Sequence, residues 1–263
     1  MPHSLVNAEM ATPFTVIIPA RHGSTRFPGK PLALLAGRPM ILHCLDRARE
    51  SAAARVVVAT DHPEIAAVCE AAGAEVVISA QDHPSGTDRL AEAVTVLGLD
   101  ADALVVNLQG DEPLMPPALP GRVAAALDAD PGASMATLIT PLTDAALIAD
   151  RNVVKVVVDA RGRALYFSRA PIPCQRDAET PDPAGWWRHL GVYAYRVGFL
   201  RRYPTLSIPA IERSEQLEQL RALWHGEPIA CVVVGDEPGP GVDTPEQLQA
   251  LEYRLATTPS SAR

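Results

Sequence analysis

The sequence of 263 residues has few cysteines, few aromatic residues and no excess of basic charge. Its four cysteines are scattered, with no C-x-x-C pair and no short His/Cys spacing. This pattern argues against a zinc site or a disulfide framework and favours a reducing compartment. A formal net charge of −8 argues against nucleic-acid binding, which needs a basic face, but a single nucleotide needs only a few well-placed cations.

Long apolar runs and a targeting segment are also lacking. Apolar segments such as Arg55–Thr60 have the length of a strand, far short of the roughly 20 residues that span a bilayer. Met1–Pro13 has no Lys or Arg and no apolar core, unlike a signal peptide. With 48% apolar and 21% charged residues, the composition is that of a soluble globular protein. These features predict a cytoplasmic protein that does not contact the membrane.

The first half of the chain alternates short apolar runs with helical patterns. The runs are continuous in Val, Ile and Leu, which is typical of strands covered on both faces in a parallel sheet of βαβ units. The predicted strands are Phe14–Ala20, Arg55–Thr60, Glu75–Ser79 and Ala103–Gln109, and the predicted helices are Pro39–Ser51, Pro63–Ala72 and Ser85–Leu97. Ligands bind at the carboxyl ends of such strands, so the residues directly after each strand are site candidates.

The second half has more mixed patterns. The predicted elements are a hairpin of Val153–Asp159 and Arg163–Ser168, a surface loop at Pro171–Gly185, strands at His189–Arg196 and Ile229–Val234, and helices at Ser214–His225 and Thr244–Leu255. In the first of these helices, Leu217, Leu220 and Trp224 form the predicted buried stripe. Thr244 as N-cap and Gln247 three residues later predict a capping box at the second.

The loop after the first strand, Pro19–Pro31, is the most informative segment, with the sequence PARHGSTRFPGKP. It has neither the G-x-G-x-x-G fingerprint nor P-loop spacing, because five residues separate its two glycines. Arg21, Arg26 and Lys30 lie in it at a strand exit, where cations and backbone amides can offset the charge of about −4 on a triphosphate. An ordinary exposed loop is the alternative, but such loops seldom combine three cations, two glycines and, after the strand itself, the two prolines Pro28 and Pro31.

Two aspartates are further site candidates. Asp111, in QGDEP, comes after the fourth strand, and Asp243, in GVDTP, stands at the mouth of the last helix. Each alone has an ordinary interpretation as a turn former or helix cap. As a pair they suit magnesium, which is commonly held by one or two carboxylates together with substrate phosphates.

These motifs resemble those of sugar nucleotidyltransferases, and more closely the 3-deoxy-manno-octulosonate cytidylyltransferase (CMP-KDO synthetase) family. The loop is similar to the family signature A-R-x-x-S-T-R-x-P-G-K. Further similar segments follow in the same order: SGTDR at Ser85–Arg89, YFSR at Tyr166–Arg169, RHLGVY at Arg188–Tyr193 and LEQLR at Leu217–Arg221. The resemblance runs from about Phe14 to Leu255. Its departures are Cys174 in place of a usual aromatic, a short loop at Gln175–Trp187, and no proline before Val153.

The resemblance implies a Rossmann-like (GT-A-like) three-layer α/β/α fold, with a mostly parallel sheet and an inserted small β-rich subdomain. It implies one nucleotidyltransferase domain over residues 14–256, with tails at 1–13 and 257–263. The nucleotide-binding part would cover about 14–140, and the sugar-binding and dimerisation part about 150–235. The implied reaction joins CMP from CTP to the anomeric hydroxyl of 3-deoxy-D-manno-octulosonic acid (KDO) and releases pyrophosphate. The product would feed lipopolysaccharide biosynthesis, and the protein would be a homodimer.

The resemblance also implies residue roles. Catalytic roles fall to Arg21, Lys30, Asp111 and Asp243, and the two aspartates would bind Mg²⁺. Nucleotide-binding roles fall to Ala20, Arg21, Ser24, Lys30, Ser85, Gly86 and Arg89. Sugar-binding roles fall to Gln109, Arg169, His189, Tyr193, Glu218 and Gln219. A planar guanidinium at Arg169 suits a sugar carboxylate, and His189 and Tyr193 share one side of a strand by period two.

Rival functions remain open. The enzyme could act on another sugar acid, such as sialic acid or an amino analogue of KDO. A non-catalytic nucleotide-sensing module on the same fold is a second alternative, favoured by loss of Lys30 or of either aspartate, yet all three are present. A nicotinamide oxidoreductase fits the α/β pattern but lacks its glycine fingerprint. No general base is apparent, so activation of the attacking hydroxyl by the metal is the working hypothesis.

Overall fold

Apolar strands and amphipathic helices alternate along the chain. The structure is a computed structural model that describes residues 13–23, 26–80, 83, 85–176, 182–235, 238–239 and 241–257. The strands are β1 Phe14–Ala20, β2 Leu34–Leu35, β3 Arg38–Pro39, β4 Arg55–Thr60, β5 Glu75–Ile78, β6 Leu104–Asn107, β7 Met135–Pro141, β8 Lys155–Val158, β9 Ala164–Ser168, β10 Trp187–Arg196 and β11 Ile229–Val233. The helices are α1 Met40–Glu50, α2 Pro63–Ala71, α3 Gly86–Val96, α4 Ala118–Asp128, α5 Val197–Arg202, α6 Ala210–Glu215, α7 Gln219–Trp224 and α8 Pro245–Thr257.

The described strands other than β2 and β3 form one sheet, in the order β11-β7-β10-β6-β1-β4-β5, with the β8–β9 hairpin joined to β10. β1, β4, β5 and β6 are mutually parallel, and β11 is parallel to β7. β10 runs antiparallel to both β6 and β7. The mostly parallel sheet and the added hairpin confirm the predicted fold class.

Helices cover both faces of the sheet. α1, α2 and α4 pack on one face through an apolar cluster that includes Val16 and Ile18 of β1. α3, α5 and α7 pack on the other face in a cluster that includes Ile17. Alternate side chains of one strand therefore enter two different cores, which explains why the strand sequences are continuously apolar.

The parallel register brings the ends of three strands to one edge. Ala20, the last residue of β1, pairs with Thr60, the last residue of β4, and Ile17 pairs with Asn107 at the end of β6. The chain after β6 passes close to β1, because a Cβ on Gly110 would lie 3.0 Å from the carbonyl oxygen of Pro19. The segments that follow β1, β4 and β6 thus meet at this edge.

Most of the predicted elements are confirmed, several with shifted ends. β1 and β4 have the predicted bounds, and the predicted hairpin is β8 and β9. At the start of α8 the capping box is present, since Gln247 N–H donates to Thr244 Oγ1 at 3.3 Å and Thr244 N–H donates to Gln247 Oε1 at 3.1 Å. α4 and β7 were not predicted. The predicted tails lie almost wholly outside the described residues, and no described helix is long and apolar enough to cross a bilayer.

The prediction of one helix over Ser214–His225 is wrong. Gln216 has left-handed backbone angles of φ 51° and ψ 50°, which end α6 and separate it from α7. A left-handed residue cannot continue a right-handed helix. After this break Leu217 and Leu220 are still buried, but Trp224 is 61% exposed rather than part of the buried stripe.

The two short helices are joined by a buried ion pair. Arg221 donates to both carboxylate oxygens of Glu212, at 2.9 and 2.6 Å, and its guanidinium lies 4.4 Å from the centre of the Tyr203 ring.

Replacing Glu212 by Ala leaves a buried, uncompensated cation, so we expect the free energy of unfolding to fall by about 3 kcal/mol. Urea unfolding followed by circular dichroism measures this. Glu50→Ala, which removes an exposed pair with Arg47, is the matched control and should cost far less; equal losses would contradict the interpretation.

Candidate active site

A cleft of about 260 Å³ opens at the sheet edge where β1 and β6 end. The predicted site residues that line it are Ala20, Arg21, Lys30, Ser85, Gly86, Arg89, Gln109, Asp111, Glu218 and Asp243. Ser24, the remaining predicted nucleotide-binding residue, lies outside the described residues. The structure therefore brings together residues from both ends of the chain in one polar cleft.

Lys30 lies at the centre of a charge cluster in this cleft. Its Nζ is 2.5 Å from Asp111 Oδ2 and 3.1 Å from Asp243 Oδ1. Arg26 Nη2 lies 3.1 Å from the other carboxylate oxygen of Asp243. The Lys30 side chain is only 14% exposed, so the contacts with the two aspartates are partly shielded from water. Asp111 and Asp243 thus do meet in space, bridged by one ammonium group.

Backbone contacts explain how the two aspartates are held together. Val242 N–H donates to the carbonyl oxygen of Asp111 at 2.9 Å, which ties the segment before α8 to the segment after β6. Asp243 N–H donates to Gln247 Oε1 at 2.6 Å, so the capping box of α8 also orients this residue. The residues that cap α8 therefore also position the Asp243 carboxylate.

The donor set of this cluster fits a magnesium ion. Mg²⁺ prefers oxygen ligands and is usually held by one or two carboxylates plus substrate phosphates. Within the described residues no group of three or more His, Cys, Asp or Glu side chains could hold a metal. Asp111 and Asp243 are two carboxylates of this kind.

The nucleotide-side candidates at the start of α3 also have structural partners. Ser85 caps the helix, because Asp88 N–H donates to its Oγ at 3.2 Å and its hydroxyl donates to Asp88 Oδ2 at 2.7 Å. Arg89 is buried and donates to Asp61 Oδ2 at 3.0 Å and to the hydroxyl oxygen of Ser79. Both residues line the cleft, but the Arg89 guanidinium is largely engaged by the protein itself.

A second cavity of about 330 Å³ adjoins the first and shares Gly86, Gln109 and Glu218 with it. Its other lining residues include Asn107, Tyr193, Tyr195, Tyr203 and Gln219. The side-chain atoms Asn107 Oδ1 and Gln219 Nε2 are buried without a hydrogen-bond partner in the described part of the chain. Buried polar groups of this kind usually have a partner, so this acceptor and this donor are candidates for contact with water or a polar ligand.

The predicted sugar residues His189 and Arg169 do not line either cavity. The His189 ring packs against Phe167 and Tyr193, with ring centres 5.0 and 5.4 Å apart, and its Nε2 is 3.0 Å from Thr137 Oγ1. Arg169 donates to the backbone carbonyls of Glu215 at 2.7 Å and Arg151 at 2.9 Å. In this structure His189 packs against Tyr193, and Arg169 donates to the carbonyl of Glu215, the last residue of α6.

The sequence analysis missed His83, which lines the cleft, and Asp61, which contacts the cleft residue Arg89. His83 lines the first cavity and pairs with Glu92. Asp61 follows β4 and contacts both Arg89 and the backbone of His22. The rule that site residues follow strands would have found Asp61, since it stands directly after a predicted strand at the correct edge.

The cation-containing loop after β1, the paired aspartates and the mostly parallel sheet together define a nucleotidyltransferase. The model of the family described as cytidylyltransferase matches residues 15–229. Curated relatives are the 3-deoxy-manno-octulosonate cytidylyltransferases of Halorhodospira halophila, 57% identical over 95% of this chain and 100% of that protein, and of Alkalilimnicola ehrlichii, 58% identical over 94% and 98%. This chain therefore belongs to the 3-deoxy-manno-octulosonate cytidylyltransferase family.

Solved structures agree with this assignment. A CMP:2-keto-3-deoxy-manno-octonic acid synthetase complexed with CTP is 41% identical, with a TM-score of 0.85 over 93% of this chain and 99% of that chain. A 4-diphosphocytidyl-2C-methyl-D-erythritol synthase is 13% identical, with a TM-score of 0.60 over 93% and 99%. The second likeness shows the shared fold alone.

The environment of His189 generates a pH prediction. Burial of the ring lowers its pKa from 6.5 to about 3, so the folded protein keeps it neutral while the unfolded chain takes up a proton. Stability is therefore fully present above pH 6.5 and is lost as the pH falls towards 3, with a slope of up to about 1.4 kcal/mol per pH unit. Urea unfolding between pH 8 and 4 should show a shallower slope for His189→Gln than for the original protein. Parallel slopes would contradict this account.

Proposed function

We propose that this protein transfers CMP from CTP to the anomeric hydroxyl of KDO, giving CMP-KDO and pyrophosphate. The observation that carries the proposal is the pair of adjoining cavities. The first contains cations suited to a triphosphate and carboxylates suited to a magnesium ion, and the second contains unpartnered polar groups suited to a sugar. Gln109 and Glu218 line both cavities, so the two substrates would meet between them. The relatives' names, and the CTP bound in one solved relative, support this choice of substrates.

On the nucleotide side, the chain's own contribution is charge neutralisation and positioning. Arg21 and Lys30, with Ser24 and Ala20 beside them in the loop, would hold the triphosphate. Ser85, Gly86 and Arg89 would border the cytidine. With the triphosphate in place, the Lys30 ammonium would pair with phosphate oxygens rather than bridging the two aspartates, since phosphate carries more negative charge than either carboxylate.

Asp111 and Asp243 would hold Mg²⁺ in this reaction. A bound magnesium ion supplies polarisation of the α-phosphate and a lower pKa for the attacking hydroxyl. The chain's own residues then act by geometry: Lys30 and Arg21 neutralise the phosphates, and the sugar cavity directs the anomeric hydroxyl at the α-phosphorus. The Lys30 ammonium group contacts both Asp111 and Asp243, which supports the proposal that these two residues share one cation.

On the sugar side, Gln219 and Asn107 would bind hydroxyl groups of KDO through the atoms that lack partners. Gln109, Glu218 and Tyr193 line the same cavity. His189 would act by supporting Tyr193. Arg169 would reach the sugar carboxylate only after leaving the carbonyl of Glu215.

The proposal includes the setting of the reaction. All four cysteines are free, which is compatible with a reducing cytoplasm. There the product would feed lipopolysaccharide assembly, and the protein would form a homodimer. Size-exclusion chromatography with light scattering tests the dimer: a mass of about one chain would contradict it.

Pyrophosphate release tests the reaction directly. We expect release with CTP, KDO and Mg²⁺ together, and none when any one is omitted or when UTP, GTP or ATP replaces CTP. A sugar panel that includes sialic acid and amino analogues of KDO separates the rival transferases.

Lys30→Met, Asp111→Asn and Asp243→Asn should each lower kcat/KM on the order of 100-fold, while Asp102→Asn, at an exposed position, should not. Full activity of the first three variants would contradict the assigned roles.

Gln219 tests the sugar cavity separately. Gln219→Met removes the unpartnered amide and should raise the KM for KDO about tenfold at saturating CTP, because one hydrogen bond to the sugar is lost. The KM for CTP at saturating KDO should not change. Gln249→Met, on the exposed face of α8, is the control. Equal increases for both substrates would mean that the second cavity does not bind the sugar.

A further inference from the structure

Asp61 stands directly after β4 and contacts both the loop after β1 and α3, two segments that contribute residues to the cleft. Its Oδ1 accepts the His22 N–H at 3.1 Å, and its Oδ2 accepts a guanidinium N–H of Arg89 at 3.0 Å. Its side chain is 11% exposed, and that of Arg89 is 4% exposed. Asp61 does not line the cleft, so any effect on substrate must pass through the residues that it holds.

The His22 residue is fixed from several sides. Its N–H donates to Asp61, and its carbonyl accepts the Gly29 N–H at 3.1 Å. The second of these hydrogen bonds connects the two described ends of the loop. The His22 ring stacks on that of His62, with ring centres 4.0 Å apart and planes 15° apart. Gly29 has a positive φ of 69° and leads directly into the 3₁₀ turn that begins at Lys30. His22 thus fixes the placement of the residues at both ends of the loop.

Arg89 connects the same carboxylate to the segment that follows β5. It donates to the carbonyl of Ala80 at 3.3 Å as well as to Ser79, after β5. It belongs to α3, whose first residues, capped by Ser85, line the cleft. Asp61 therefore joins the loop after β1 to α3 by accepting a hydrogen bond from each of them.

We propose that Asp61 is a positioning residue that holds the phosphate loop in its binding geometry through the His22 backbone. Charge-assisted hydrogen bonds are about twice as strong as neutral ones, so a carboxylate held by Arg89 is a firm acceptor for this amide. Correct placement of Arg21 and Lys30 before the nucleotide arrives reduces the entropy lost on binding. The inference rests on the proposed function for its kinetic consequence, but not for its structural one.

Asp61→Ala removes both hydrogen bonds and should raise the KM and the Kd for CTP about tenfold. The KM for KDO at saturating CTP should not change. Asp61→Asn retains an oxygen that can accept the His22 N–H but loses the charge opposite Arg89, so it should fall between Asp61→Ala and the original protein. It also serves if the alanine variant does not fold.

Asp130→Ala is a matched control, because Asp130 likewise accepts from an arginine, Arg163, and from a backbone amide, that of Gly132, in a region that does not line the cleft. It should lower stability without changing the KM for CTP. If Asp130→Ala raises that KM as much as Asp61→Ala does, the effect is a general loss of stability and the proposal is overturned.

Hydrogen exchange provides a readout that needs no substrate. In the free protein, the amides of His22 and Gly29 should exchange faster in Asp61→Ala than in the original protein, and unchanged exchange would overturn the proposal. In Asp130→Ala they should not exchange faster. If the original protein neither binds CTP nor releases pyrophosphate, the proposed function fails, while the exchange result still decides whether Asp61 holds the loop.

Discussion

The contact of one ammonium group with two carboxylates is the interaction around which this cleft is built. Lys30 comes from the loop after β1, whereas Asp111 and Asp243 lie 81 and 213 residues further along the chain. Bringing like charges together in a partly buried place costs free energy unless a cation lies between them. The Lys30 side chain meets this requirement within the protein alone, and a divalent cation together with a triphosphate would meet it during the reaction. The same electrostatic constraint thus accounts for the contacts of Lys30 and is compatible with the proposed reaction.

The sheet brings these segments to the same place. Parallel strands β1, β4 and β6 end at a common edge, and Gly110 permits the chain after β6 to pass Pro19 at a distance that a side chain would obstruct. Asp243 is brought in by a different device, the hydrogen bond from Val242 N–H to the Asp111 carbonyl and the capping box of α8. Rigid strands therefore place one carboxylate and a helix N-terminus places the other.

Much of this architecture could be predicted from the sequence. Continuous apolar runs indicated β1 and β4 with their observed bounds, and the order of the motifs indicated the family. The partnership of Lys30 with both aspartates could not be predicted, because it depends on contacts between distant segments. The break at Gln216 was also missed, since neither a glycine nor a proline marks it in the sequence. His189 and Arg169 carry the expected motifs, yet their contacts with the protein appear only in three dimensions.

The break at Gln216 shows why local pattern and site geometry diverge here. A left-handed non-glycine residue costs about 1–2 kcal/mol, so other contacts must maintain it. Arg169 donates to the carbonyl of Glu215, and Ser168 and the Arg169 backbone donate to the Glu215 carboxylate at 2.6 and 2.9 Å. With α6 ended there, Glu218 and Gln219 start a new helix at the wall of the second cavity, where Thr87 of α3 donates to Glu218 at 3.0 Å. The strained residue therefore lies between the element held by Arg169 and the residues proposed to contact the sugar, which gives Arg169 a structural influence on that cavity even from its present position.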